Sequence, residues 1–423
     1  MNCSFFLRLP ILVLSLVLLA PNAHAATKTK VTTPAKKVSV TAATKLEISG
    51  WVPYWRTATG TADVLPHLAG LTEVNPFGYT VKNNGELYDA LNIQAPEWQT
   101  LKASAKAKNV RFVPTVMWSN TDAIHAVLSD PTKRALHIQS ITDAIVQNGF
   151  DGIDIDYEAK SSDDKDNYTA FLKELSAKLG KNKLNKWLMC TIESRQPLTA
   201  RYENGIPPSE IAYANSLPDI NKYCDRVRIM TYDQQNADIE LNKANKGVLY
   251  APIADPVWVE KVVKYMAQDI SKSKMVIGIP TYGYEYQAIS NIDGSGYTYT
   301  KLDVFNPKYG TDLAREYGIT PGRNAAGELG FSYVPSSYSS DLPSQSVLAA
   351  LAPKGTPQAN LAGAGALMYS KTQGKQVPIE LLVWSDAVAI KNKVALARKL
   401  GVKGVAVFKF DGGEDQTMWS VLK

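Results

Sequence analysis

Asp151-Gly152-Ile153-Asp154-Ile155-Asp156-Tyr157-Glu158, opened by Gly149-Phe150, is the stretch that decides how this chain is read. Side chains of a strand alternate between its two faces, so Asp154, Asp156 and Glu158 share one face. Ile153 and Ile155 occupy the other, together with Asp151, which reads as structural. An edge strand with a solvated acidic face would also carry acids at alternate positions. Phe150 and the two isoleucines point instead to a strand buried against an apolar layer. Carboxyl groups crowded on such a strand suffer desolvation and mutual repulsion, which raise the proton affinity of at least one of them. An acid catalyst working near neutral pH requires that property.

Working outward, short apolar runs rich in β-formers alternate with amphipathic helical stretches, the pattern of a parallel α/β fold. The spacing predicts eight strands: Leu46–Val52, Thr72–Tyr79, Val110–Met117, Phe150–Tyr157, Trp187–Ile192, Arg226–Thr231, Met275–Pro280 and Gly404–Phe408. Tyr168, Phe171, Leu172, Leu175 and Leu179 form one helical stripe closed by Gly180, and Asp255-Pro256 opens another helix. Ile390, Val394 and Ala397 lead to Gly401 in the same manner. Eight strand–helix units joined by right-handed crossovers predict a closed TIM (β/α)8 barrel. Between the seventh and eighth strands, a stretch rich in Gly, Ser, Tyr and Pro predicts a small α+β insertion at about residues 288–383. Strands are expected there around Tyr297–Tyr299, Phe331–Val334 and Leu381–Trp384, a helix around Asp312–Tyr317, and loop over 335–378.

Barrel enzymes build their sites where the strands end. Strand six ends Met230-Thr231-Tyr232-Asp233 and strand seven Gly278-Ile279-Pro280-Thr281-Tyr282-Gly283. Trp51, Phe77, Tyr79, Trp118 and Phe408 stand at or near the ends of strands one, two, three and eight. Any one of these aromatics could be core. Together they describe a carboxylate centre inside an aromatic ring, suited to the apolar C–H faces of sugars.

The octapeptide resembles the Asp-Gly-x-Asp-x-Asp-x-Glu signature of glycoside hydrolase family 18, the chitinase-like hydrolases, and matches it completely. Met230-Thr231-Tyr232-Asp233 and Gly278–Gly283 are similar to two further family motifs. The Val113–Trp118 and Ala251–Trp258 segments look more like its bacterial branch of spore-cortex and cell-wall hydrolases. The resemblance implies a TIM barrel with a small insertion and substrate-assisted retaining hydrolysis of β-1,4-linked N-acetylglucosamine polymers, either chitin or peptidoglycan glycan. By that likeness Glu158 is the acid–base, Asp156 orients the substrate's acetamide and Asp154 supports Asp156. Tyr232 donates to the acetamide oxygen, and Met230, Asp233 and Tyr282 line the subsite. Phe408 stands where the family usually places a tryptophan floor. A chitinase-like lectin that binds such sugars without cutting them is the alternative, although family lectins commonly lose the acid that is Glu158 here.

Residues 1–25 have the layout of a secretory signal: Arg8, an apolar run from Pro10 to Ala20, and Ala23-His24-Ala25. Residues 26–45 read as a flexible Thr/Ala/Lys linker, leaving 46–423 as the catalytic barrel. Without Arg8, Lys28, Lys30, Lys36, Lys37 and Lys45, 40 basic residues face 40 acidic ones, so the body is neutral and offers nothing to nucleic acid. A secreted, periplasmic or cell-surface monomer is expected, with no cofactor and no lasting membrane span. His67, His125 and His137 are scattered without metal-ligand spacing. Cys190 and Cys224 would lie at different heights on neighbouring strands, which predicts two buried thiols.

Overall fold

Eight parallel strands close on themselves in the computed structural model, which describes residues 45–423 apart from Glu210, Ser340 and Lys423. In chain order they are Glu47–Pro53, Glu73–Val81, Thr115–Trp118, Gly152–Tyr157, Trp187–Glu193, Arg226–Met230, Met275–Pro280 and Gly404–Phe408, barrel strands one to eight. Strand one pairs with both strand two and strand eight, so the eight-strand ring closes. The third stave is broken into Arg111–Phe112 and Thr115–Trp118 around Val113-Pro114, because proline has no N–H to give the ladder. The expected signal and nearly all of the linker lie outside the described residues.

The predicted helical stripes are the faces packed on the barrel. Helix Lys165–Leu179 buries Tyr168, Phe171, Leu172, Leu175 and Leu179 against the outer side of the strands. Helix Pro256–Met266 starts where the Asp255 carboxylate accepts from the Val257 N–H, and helix Ala387–Leu400 stops at left-handed Gly401. Among the described residues, no helix is long and apolar enough to cross a membrane.

The insertion is larger than its sequence suggests. Its five-stranded antiparallel sheet begins at Gly283–Ser290, immediately after strand seven, and includes Tyr297–Phe305, Leu329–Tyr333 and Pro378–Trp384. The stretch expected to be loop over 335–378 contains two helices, Gln345–Leu351 and Leu361–Gln373. Gly363 and Gly365 weaken the helical signal of the second. They are there for close approach: a Cβ on Gly365 would meet the Leu348 carbonyl oxygen at 1.9 Å, and one on Gly363 would meet Leu249 at 2.4 Å.

The cysteines also depart from expectation. Cys190 and Cys224 form a disulfide with Cα atoms 6.0 Å apart. Cys224 belongs to the turn between helix Leu217–Tyr223 and strand six, not to the strand itself. That turn folds over the outer face of strand five, so strand rise does not separate the two sulfurs. Closing a chain separation of 34 residues should stabilise the fold by roughly 3–4 kcal/mol through the unfolded state. Cys190→Ala/Cys224→Ala is expected to lose about that much in urea unfolding, with the m-value showing whether the unfolded chain expands.

Candidate active site

The centre of the site is a carboxylate inside the barrel. Asp154 is completely buried on the inward face of strand four. It accepts hydrogen bonds from the Thr115 hydroxyl at 2.8 Å, the Thr191 hydroxyl at 2.9 Å and the Trp51 indole N–H at 3.1 Å. Arg228 of strand six brings a guanidinium nitrogen to 2.8 Å from the same group. Arg228 is itself ion-paired with buried Glu73 of strand two, which Arg111 holds at 2.8 Å and Asn75 at 2.9 Å. Four strands therefore converge on Asp154 directly, and a fifth, strand two, through Glu73. Burial pushes its pKa up to about 6 against these donors, so it remains largely ionised at neutral pH.

Asp156, one inward position higher, has the opposite surroundings. It is buried, and its Oδ1 has no hydrogen-bond partner. Burial, then the neighbouring Glu158 and Asp154 carboxylates, push it well above the usual carboxylate range, with Lys160 opposing. Crowding with its neighbours therefore raises the proton affinity of Asp156, and the carboxyls titrate as a coupled set. Glu158 lies just beyond the strand end, where its N–H donates to the Trp118 carbonyl at 2.8 Å and its side chain reaches solvent. Partial burial and the Glu193 carboxylate raise its pKa as well. Two carboxyls with raised pKa and one held anion fit proton transfer at a single point.

Strands six and seven supply the phenols. The ring of Tyr232 lies over Gly278, where a Cβ would come within 2.6 Å of it, so only glycine admits this close approach. Tyr232 stacks on Phe408 with centroids 5.8 Å apart. Asp233 adopts a left-handed backbone (φ 58°) and accepts from the Tyr282 hydroxyl at 2.5 Å and the Tyr284 hydroxyl at 2.6 Å. Beneath them Trp51, Phe77 and Phe408 pack edge to face, with Met117 against them. Half-buried Met230 ends strand six beside Glu193. A cavity of about 390 Å³ opens on Asp233, Tyr282, Tyr284 and Phe408, with Trp55, Arg56 and Lys409 at its margin.

Two expected members point elsewhere. Strand two slips register between Phe77 and Tyr79, and the bulge turns Tyr79 out of the barrel onto Phe150, 6.2 Å away. Trp118 follows inward-facing Met117 and so faces outward, packing on Tyr157 at 5.4 Å and His137 at 5.5 Å. His137 is a core residue between the Gly85 carbonyl and the Tyr157 hydroxyl, His125 pairs with Asp164, and His67 stacks on Trp419. Asp151 accepts from the Phe112 N–H at 2.8 Å. Thr115, Thr191, Arg228 and Tyr284 escaped the sequence reading. The alternation that selected Asp154 also places Thr115, Thr191 and Arg228 inward, and applying it to every strand would have found them.

Fold and site together define a parallel-barrel protein of the glycosidase kind, with its acids on strand four. The family model for glycosyl hydrolases family 18 matches residues 49–413, and the chain belongs to that family. The Bacillus subtilis (strain 168) protein YdhD, whose name calls it a sporulation-specific glycosylase, is 25% identical over 51% of this chain and 46% of its own length. The uncharacterized glycosylase YvbX of the same organism is 24% identical over 71% of this chain and 69% of its own. The first of these alignments thus spans less than half of the relative. The Bacillus cereus spore cortex-lytic enzyme SleL shares the fold, with a TM-score of 0.63 at 16% identity over 89% of this chain and 73% of that one.

A carboxyl whose pKa is raised in the folded state opposes folding once pH exceeds its unfolded value near 4, because the native protein holds the extra proton. The stability contribution of Asp156 is therefore greatest at low pH and falls as pH rises. Asp156→Asn is expected to melt above wild type at pH 7 and to lose that advantage on titration toward pH 4. Thermal melts across this range check the sign.

Proposed function

We propose that this protein is an exported glycosidase that cleaves β-1,4-linked N-acetylglucosamine polymers, chitin or peptidoglycan glycan, with retention of configuration and with the substrate's own 2-acetamido group as nucleophile. The observation that carries this reading is the distribution of carboxylates around Asp156. A retaining enzyme with its own nucleophile keeps a second free carboxylate at the cleaved bond. Here Asp154 is engaged by four groups, Asp233 by two phenols, and Glu193 by Asn215 and Lys160. Asp156 is left as a buried carboxyl with an unused oxygen, suited to an acetamide N–H.

In this reading Glu158 protonates the leaving glycosidic oxygen while the acetamide oxygen attacks the anomeric carbon and the C–O bond breaks. Asp156 accepts from the acetamide N–H and balances the positive charge of the oxazolinium ion. Tyr232 directs its hydroxyl at the acetamide oxygen. Water then enters, gives its proton to Glu158 and reopens the ring with the original configuration. Phe408 floors the subsite with an apolar ring. Export rests on the N-terminal sequence, and the Cys190–Cys224 bond suits an oxidising compartment.

Glu158→Gln is expected to lower turnover of a chromogenic chitobioside by about 10²-fold or more, the usual worth of a general acid, with an unchanged melting temperature. Wild-type turnover in that variant would remove the assignment, and sugar binding without turnover in the wild-type protein would mark a lectin. Proton NMR of early product should show the retained anomer, and a glucoside lacking the acetamido group should stay intact. An inverted first product would rule out the oxazolinium route.

A further inference from the structure

The mechanism above leaves unused a buried cation that lies beside the acids. Lys160 follows the acid array by two residues, yet its side chain is only 1% exposed. Ala159 has a left-handed backbone (φ 52°), which a residue with a Cβ adopts at a cost, and this turn folds Lys160 back under the end of strand four. There its ammonium donates to the carbonyl of Tyr157, stands 4.0 Å from a Glu193 carboxylate oxygen and lies 4.7 Å from the centre of the Tyr168 ring. Glu193 is fixed in turn by the Asn215 amide at 2.7 Å, and Arg195 donates to the Asn215 carbonyl at 2.5 Å while stacking on Tyr213.

We propose that Lys160 is a positioning residue for the acid–base machinery: clamped between the Tyr157 carbonyl and Glu193, its ammonium is the fixed countercharge to the Asp156–Glu158 cluster. This rests on the functional reading above and specifies how its proton donor is set. The groups facing the cluster are Asp154 and Asp156 on strand four, Glu193 on strand five with Arg195 just after it, Tyr232 and Asp233 after strand six, and Tyr168 from the helix outside. Most are acidic; of the two buried cations near them, Arg228 lies 2.8 Å from Asp154 and is shared with Glu73, whereas Lys160 lies 4.0 Å from Glu193 at the strand end. A buried charge in a rigid cage acts on its neighbours with little screening. Its presence favours ionisation of Asp156 and Glu158, whereas Glu193 disfavours ionisation. The lysine and the glutamate thus bias the acid in opposite directions, and their pairing keeps both biases in place.

Opposite signs supply the test. The pH dependence of kcat/KM on a chromogenic chitobioside is measured for wild type, Lys160→Met, Lys160→Arg and Glu193→Gln. The alkaline limb, which reports loss of the acid's proton, should move up by about 0.5 pH unit or more in Lys160→Met and down in Glu193→Gln. Lys160→Arg should restore the wild-type position. An alkaline limb unmoved in Lys160→Met, with only a lower melting temperature, would reduce Lys160 to a structural brace and overturn the proposal. Should Lys160→Met not fold, the downward shift in Glu193→Gln and the wild-type limb in Lys160→Arg carry the decision, and no shift in Glu193→Gln overturns it. If wild type turns over no substrate, the functional reading fails separately. The countercharge is then read from carboxyl ¹³C titration of Glu158, identified by its loss in Glu158→Gln, with the same shifts expected and their absence decisive against it.

Discussion

The ion pair between Arg228 and Asp154, inside a barrel whose interior would ordinarily be filled with branched apolar side chains, is the constraint on which the site depends. An isolated buried carboxylate is prohibitively costly, and even a paired one recovers its desolvation only when its remaining lone pairs are satisfied. Asp154 meets that condition through Thr115, Thr191 and Trp51, while Arg228 is held by Glu73 through its other terminal nitrogen. Glu73 in turn is held by Arg111 and Asn75, and at the barrel floor Glu47 engages Arg226 at 2.7 Å. Removing Arg228 would leave the buried Asp154 carboxylate without a countercharge. The core is thus polar by construction, and the apolar stabilisation of the fold falls to the shell between strands and helices, where Ile153, Ile155 and Tyr157 pack on Phe171, Leu172 and Leu175.

That arrangement explains why two carboxyls one inward position apart behave differently. Asp154 is surrounded by donors and can stay ionised, whereas Asp156 has burial, a neighbouring anion and a free oxygen. The same chemistry in two environments yields a donor-held carboxylate and a carboxyl of raised proton affinity, the separation that acid–base sites exploit. The raised proton affinity of Asp156 comes at the expense of folding stability above the ordinary carboxyl range, which is the usual relation between a working site and its scaffold.

Much of this was legible because the strand period is strict. Counting by twos from Asp154 gives Asp156 and Glu158, and the same count on the other strands gives Trp51, Phe77, Met117, Thr191, Arg228 and Phe408. The count failed where the backbone breaks it. A register slip at Phe77/Tyr79 turns one tyrosine outward, and Trp118, one residue past inward-facing Met117, falls on the opposite face. Turn geometry was equally hidden. Nothing local announces that the turn carrying Cys224 lies over Cys190, or that Ala159 bends backward to bury a lysine. The helix Leu361–Gln373 was lost for a related reason, since glycines that permit close contact read in isolation as breakers.

Phe408 shows how the floor can change while the geometry above it persists. Its ring contacts Trp51, Phe77, Tyr232 and Tyr282 at centroid separations of 5.8 to 6.2 Å, all but one of them steep edge-to-face contacts. Only Tyr232 lies nearly parallel to it, sandwiched between the phenyl ring and the bare backbone of Gly278. Parallel contact on one side and backbone on the other leaves Tyr232 little freedom to rotate, so its hydroxyl direction is fixed by packing. An indole in place of Phe408 would add area and an N–H donor, but the orientation of Tyr232 needs neither. The apolar floor and the phenol it steadies are therefore separable. In the proposed reaction the phenol bears on the reacting amide, and the floor sets how much sugar surface is covered beneath it.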